Sequence, residues 1–128
     1  MKLLGIHHIA IICSDYPKSK DFYTRILGLH IIQETYRAVR NSYKLDLDAG
    51  NNVQIELFSF PEAPPRPSYP EALGLRHLAF KTKDIEVTVR DLHAQGIQSE
   101  PIRLDEITGK RFTFFYDPDN LPLELYEN

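Results

Sequence analysis

Four side chains in this sequence have the types and the placing to hold one divalent cation: His8, Glu56, His77 and Glu124. Two neutral imidazoles and two carboxylates make a mixed nitrogen and oxygen set that suits Zn²⁺ or Ni²⁺ first, and also Mn²⁺, Co²⁺ or Fe²⁺. The carboxylates supply two negative charges to balance the ion. Repetition singles these residues out. His8 in GIHHIAII matches His77 in GLRHLAF at a separation of 69 residues, and Glu56 matches Glu124 at 68. Gly5 and Gly74, Asp15 and Asp84, and Gly28 and Gly96 keep the same register, with one residue deleted on the way. A lone histidine in an apolar strand is usually core, and a glutamate between leucines is usually just solvated. The same four in the same order in two equivalent halves point to one shared site.

The elements that must carry these residues follow from that repeat. A strand bearing the histidine is expected over about Ile6 to Ile12 and again over Arg76 to Lys81. A helix follows in each half, with Asp15 or Asp84 placed to accept from the first backbone N–H groups. Phe22 with Ile26 and Tyr23 with Leu27 form the apolar stripe of the first helix; Ile85, Val89 and Leu92 form that of the second. Gly28 and Gly96 suit left-handed helix ends. Strand-like runs come next: LHIIQETY, SYKLDLD and VQIELFSF in the first half, IQSEPIRL, RFTFFYD and LPLELYE in the second.

Alternation then assigns faces. Ile55 and Leu57 flank Glu56 from the opposite side, and Leu123 and Leu125 do the same for Glu124, so the leucines take the helices and the carboxylates face a cavity. An alanine two residues after each histidine, Ala10 or Ala79, leaves room beside the imidazole. The expected fold is α/β (α+β): two βαβββ units forming a half-open, mostly antiparallel, barrel-like sheet with helices outside. Its pseudo-twofold symmetry would gather the four ligands at the middle. Residues 1–128 form a single domain, with unit one at about 1–60 and unit two at about 74–128. The proline-rich connection lies at about 61–73, a stiff surface segment holding five of the nine prolines.

Bulk properties narrow the partners. A chain of 128 residues can build a core without disulfides or structural metal, so a bound metal can be functional. Net charge is −3 and the fifteen Lys and Arg are scattered, which argues against a nucleic-acid partner. The N-terminus lacks the apolar run of a signal peptide or membrane span, and the single cysteine, Cys13, suits a reducing compartment, so a cytoplasmic location is expected. Cys13 reads as a buried, inert thiol.

The segments IHHIAI, DFYTRILGL, IEL, RHLAF and DPDNLPLELYE resemble the vicinal oxygen chelate superfamily over essentially the whole chain. The closest resemblance is to its glyoxalase I (lactoylglutathione lyase)-like branch and the short bacterial glyoxalase-like proteins. The family's metal ligands fall on His8, Glu56, His77 and Glu124. The resemblance implies one divalent ion per site, a small-molecule substrate such as a thiol adduct of methylglyoxal, and a homodimer. It also implies proton transfer through an enediolate, with Glu124 as the base and Glu56 as partner or alternate. Thiol transferases of the fosfomycin-resistance type and epimerases resemble the chain as well; the non-enzyme alternative is a small-molecule binding protein.

Substrate anchors are sought among cations and phenols. Arg37, Arg40 and Tyr43, with Tyr36, stand in TYRAVRNSY, and Lys110 and Arg111 precede the FTFF strand. Arginine can grip a carboxylate with two parallel N–H groups. The first strand departs from the typical bacterial members in lacking an arginine after His8 for glutathione carboxylates. His7 is read as pointing away from His8, and His30 and His93 as surface residues.

Overall fold

A parallel partner fixes the first strand of each half. The computed structural model describes residues 1–128, which divide into two units, Met1–Pro64 and Pro65–Asn128. The first contains β1 (His8–Cys13), α1 (Tyr16–Asp21), β2 (His30–Arg37), β3 (Ser42–Asp48) and β4 (Gln54–Ser59). The second contains β5 (Leu78–Thr82), α2 (Ile85–Ala94), β6 (Arg103–Leu104), β7 (Arg111–Tyr116) and β8 (Pro122–Glu127). Each unit has its own four-stranded sheet, ordered β1-β4-β3-β2 and β5-β8-β7-β6. The first strand runs parallel to the last in each sheet, and the remaining pairs are antiparallel. The βαβββ plan expected from the repeat is therefore the observed one.

One face of each sheet is apolar and covered by its helix. In unit one Leu45, Leu47, Ile55 and Leu57 are fully buried, and Phe22 and Tyr23 are buried with them from the helical segment. In unit two Thr113, Phe115 and Leu123 are fully buried on the α2 side, together with Ile85 and almost all of Leu92. The period-two alternation leaves His8, Ala10, Lys44, Asp46, Glu56 and Phe58 on the other face of the first sheet. No helix is long and apolar enough to cross a membrane.

Short-range chemistry sets the helix ends. The Asp15 carboxylate accepts from Lys18 N at 3.2 Å, and the Asp84 carboxylate accepts from Glu86 N and Val87 N at 3.1 and 3.2 Å. α1 continues as a π-helical segment, Phe22–Ile26. The chain then leaves at Gly28 with φ +75°, as it leaves α2 at Gly96 with φ +82°, a region that costs glycine little.

Three segments differ from the sequence expectation. β5 begins at Leu78, so His77 stands just before the strand expected to carry it. IQSEPIRL yields only the two-residue strand β6. Pro101 has no N–H to give a ladder, and the flanking chain bonds irregularly instead: Glu100 N donates to Phe114 O and the Thr113 hydroxyl donates to Glu100 O. The proline-rich connection is also not a bare spacer. Arg66 donates through Nη2 to Leu75 O at 2.7 Å and Arg76 O at 3.0 Å, which clamps the segment beginning at Pro65 onto the approach to β5.

Asp84→Ala removes both cap bonds and is expected to lower the unfolding free energy by ~1 kcal/mol in urea melts, with Asp84→Asn recovering most of the loss. A second prediction concerns Tyr16. Burial raises its phenol above the ordinary range, and the Glu34 carboxylate that accepts its hydrogen bond reinforces the shift. The folded state therefore holds this proton more tightly than the unfolded chain. The contribution is constant below the unfolded phenol value of ~10, and stability falls as pH rises beyond it. Melts followed between neutral pH and pH ~11 should show that fall, and Tyr16→Phe should make it shallower.

Candidate metal and substrate site

The strand pairings carry each carboxylate to its histidine. In unit one Ala10 of β1 stands level with Glu56 of β4, and in unit two Ala79 of β5 stands level with Glu124 of β8. With only a methyl group opposite each carboxylate, the histidine two residues earlier can reach it. His8 Nε2 lies 3.5 Å from Glu56 Oε1, and His77 Nε2 lies 2.9 Å from Glu124 Oε2. Glu124 is buried and Glu56 nearly so, with 12 % of its side chain exposed. A carboxylate taken so far out of water needs an N–H donor or a cation beside it. Each unit supplies one histidine and one glutamate, and no group of three or more His, Cys, Asp or Glu side chains placed to hold a metal ion forms.

The residue before each histidine orients it. His7 Nδ1 lies 2.9 Å from His8 Nδ1 with the rings edge to face, and Arg76 Nη1 lies 3.4 Å from His77 Nδ1. Both contacts engage Nδ1 and leave Nε2 toward the glutamate. His7 therefore does not face away from His8, contrary to what strand alternation predicts. It precedes β1, so strand alternation does not govern it, and its ring turns back onto its neighbour.

Beyond this shared core the two units diverge. Lys44 and Asp46 of β3 stand beside Glu56, with Lys44 Nζ 3.6 Å from Glu56 Oε2 and 3.4 Å from Asp46 Oδ1. The equivalent places in β7 carry Phe112 and Phe114, since Asp46 pairs with Glu56 as Phe114 pairs with Glu124. Phe114 meets the His77 ring edge to face at 5.0 Å, and Phe112 stacks on Tyr126. The surroundings of Glu56 are thus polar and charged, and those of Glu124 aromatic.

The five expected substrate anchors separate by face. Arg37 lies on the Glu56 side of its sheet, with its guanidinium 4.8 Å from the centre of the Phe58 ring and Nη2 donating to the Ser42 hydroxyl; its Nε is buried without a partner. Arg40 is exposed in the turn after β2. Tyr43 lies on the helix side, stacked on Tyr16 at 4.5 Å and against Tyr36. Lys110 Nζ donates to Asn128 O. Arg111 is also on the helix side, held by Glu127 at 2.7 Å and by Glu86 of α2 at 3.0 Å; the Arg111 guanidinium holds the Glu127 carboxyl below its ordinary range.

A pocket of about 230 Å³ opens beside His77, walled by the segment from Arg66 to Ala72 on one side and by Arg103, Phe114 and Tyr116 on the other. The sequence reading missed its residues. The one available signal was the alternation of Phe112, Phe114 and Tyr116 in RFTFFYD, which puts an aromatic row on the Glu124 face.

Comparison with known proteins agrees with this architecture. The chain is 63% identical over 127 residues to YwkD of Bacillus subtilis, covering 99% of both chains. It is 57% identical over 125 residues to YaeR of Escherichia coli, covering 98% and 97%. The solved structure of a glyoxalase family protein from Enterococcus faecalis is 51% identical, with a TM-score of 0.91 over 99% of this chain and 100% of that one. The family model described as Glyoxalase/Bleomycin resistance protein/Dioxygenase superfamily matches residues 5–125, and the chain belongs to that superfamily, the vicinal oxygen chelate proteins.

Proposed function

We propose that this protein is a divalent-metal-dependent lyase of the glyoxalase I type, isomerising a 2-oxoaldehyde thiol adduct to a 2-hydroxyacyl thioester. The observation that carries the reading is the pair of His–Glu contacts at equivalent places in the two units. Two donors each about 2.1 Å from one ion, at angles between octahedral and tetrahedral, stand about 3.0–3.4 Å apart. The separations of 2.9 and 3.5 Å bracket that range. His8, Glu56, His77 and Glu124 would hold the ion, supplied by one chain or by two chains of a homodimer.

When bound, the ion supplies Lewis acidity to a carbonyl and its neighbouring oxygen. The chain's own residues then divide the proton work. Glu124 is the better base, because Phe114 stands opposite it in the ladder and His77 is its one ion-pair partner. Glu56 is held by Lys44 as well as His8, which fits a ligand more than a mobile proton carrier. Glu124 would take the proton from one carbon of the adduct and return it to the next. Phe112, Phe114 and Tyr126 restrict water on that side while it does so.

Purified protein should bind a divalent ion by elemental analysis. It should also turn over methylglyoxal with at least one thiol from a panel of cellular thiols, under Zn²⁺, Ni²⁺ or Mn²⁺. Glu124→Gln is expected to lower kcat by about 10²–10⁴. No turnover with any thiol and metal pair removes the lyase reading. Retention of full activity by Glu56→Gln favours a thiol transferase or epimerase, and a protein that takes up no metal is a binding protein.

A further inference from the structure

We infer that the pocket beside His77 is an anion subsite, in which Arg103 selects substrates that carry an acidic group distal to the reacting carbons. The inference rests on the proposed function for the reacting end of the ligand, and on the geometry of unit two for the rest.

Three arginines line the pocket, and their partners distinguish them. Arg66 is spent on structure, donating to Ser68 and to the Leu75 and Arg76 carbonyls. Arg76 gives both Nε and Nη2 to Glu71 Oε1. Arg103 gives only Nη2, to Glu100 Oε1 at 3.2 Å, while Glu100 Oε2 accepts from the Tyr116 hydroxyl at 2.8 Å. Glu100 is thereby shared between two donors, and Nε, Nη1 and the second Nη2 hydrogen of Arg103 face no carboxylate. An arginine with donors to spare can take an anion in a two-pronged grip that a lysine cannot reproduce.

An aromatic platform fixes where that charge stands. The Arg103 guanidinium lies 5.0 Å from the centre of the Phe112 ring and 5.8 Å from that of Phe114. His77 lies 5.0 Å from the centre of the same Phe114 ring. The cation and the candidate metal ligand therefore flank one side chain, and a single small molecule can touch both. At about 230 Å³ the cavity is smaller than a typical drug-sized site, so it suits a compact metabolite. The charge balance agrees: three arginines face two glutamates, Glu71 and Glu100, along the lining. Tyr69, largely exposed, also lines the pocket.

The substrate class that fits is a small 2-oxo compound with its adjacent oxygens toward His77 and Glu124 and a carboxylate at the far end toward Arg103. Two commercially simple probes separate this from a general affinity for 2-oxo acids: 2-oxoglutarate and 2-oxopentanoate share the metal-facing end and differ in the distal carboxylate. Calorimetric titration of the Zn²⁺-loaded and metal-free protein with each should show 2-oxoglutarate binding about tenfold or more tightly. Arg103→Gln should reduce that preference to less than about threefold, and Arg103→Lys should keep part of it. Circular dichroism melts of both variants report whether the fold is retained. Equal binding of the two probes by the wild-type protein, no binding of 2-oxoglutarate at millimolar concentration, or a preference that survives in folded Arg103→Gln overturns the subsite. The titrations need no turnover. An Arg103-dependent preference in a protein that converts no thiol adduct supports the subsite and removes the lyase reading; lyase activity without the preference does the reverse.

Discussion

Parallel pairing of the first strand with the last, in each unit, is the constraint on which everything else depends. It sets a methyl group level with each glutamate and so lets a histidine two residues upstream lean onto a carboxylate that lies more than forty residues away in sequence. A slip of one residue in either ladder would turn Glu56 or Glu124 into the leucine core and bring Ile55, Leu57, Leu123 or Leu125 to the site face. The apolar face therefore guards the register of the polar one. The cost of burying an unpaired carboxylate acts in the same direction, because only the observed register gives each glutamate its imidazole.

On this common backbone the two units carry different chemistry. Lys44 and Asp46 make the surroundings of Glu56 charged, whereas Phe112 and Phe114 in the equivalent places make those of Glu124 aromatic. Two carboxylates that look interchangeable in the repeat are thus distinguished by their neighbours. Each unit also lays an arginine over phenyl rings on its site face, Arg37 over Phe58 and Arg103 over Phe112 and Phe114. The platforms restrain the guanidinium without consuming its hydrogen bonds, a condition for recognising anions.

The pairing of a histidine with a glutamate in each unit is legible in the sequence. The repeat picked out His8, Glu56, His77 and Glu124, and the leucines around each glutamate gave its face. Parity could have gone further. Arg111 stands one residue before Phe112 and so must oppose the aromatic row, which is why it meets Glu86 on the helix side; Tyr43 stands one residue before Lys44 and opposes it in the same way. What parity did not reach were His7, turned back onto His8, and Glu100, which lies in the irregular chain beside Pro101 and bonds to Arg103 and Tyr116.

The sequence by itself determined the two-unit plan, the helix ends and the identity of the four candidate ligands, because local periodicity and repetition encode all of these. Only the tertiary structure decided which cation has donors to spare. That depends on the through-space partners of Arg66, Arg76 and Arg103, and on the fold of a proline-rich segment that no periodic signal describes. Hydrogen-bond partners remote in sequence leave no periodic trace, so the pocket wall that Arg66 ties in place has no signature in the sequence pattern.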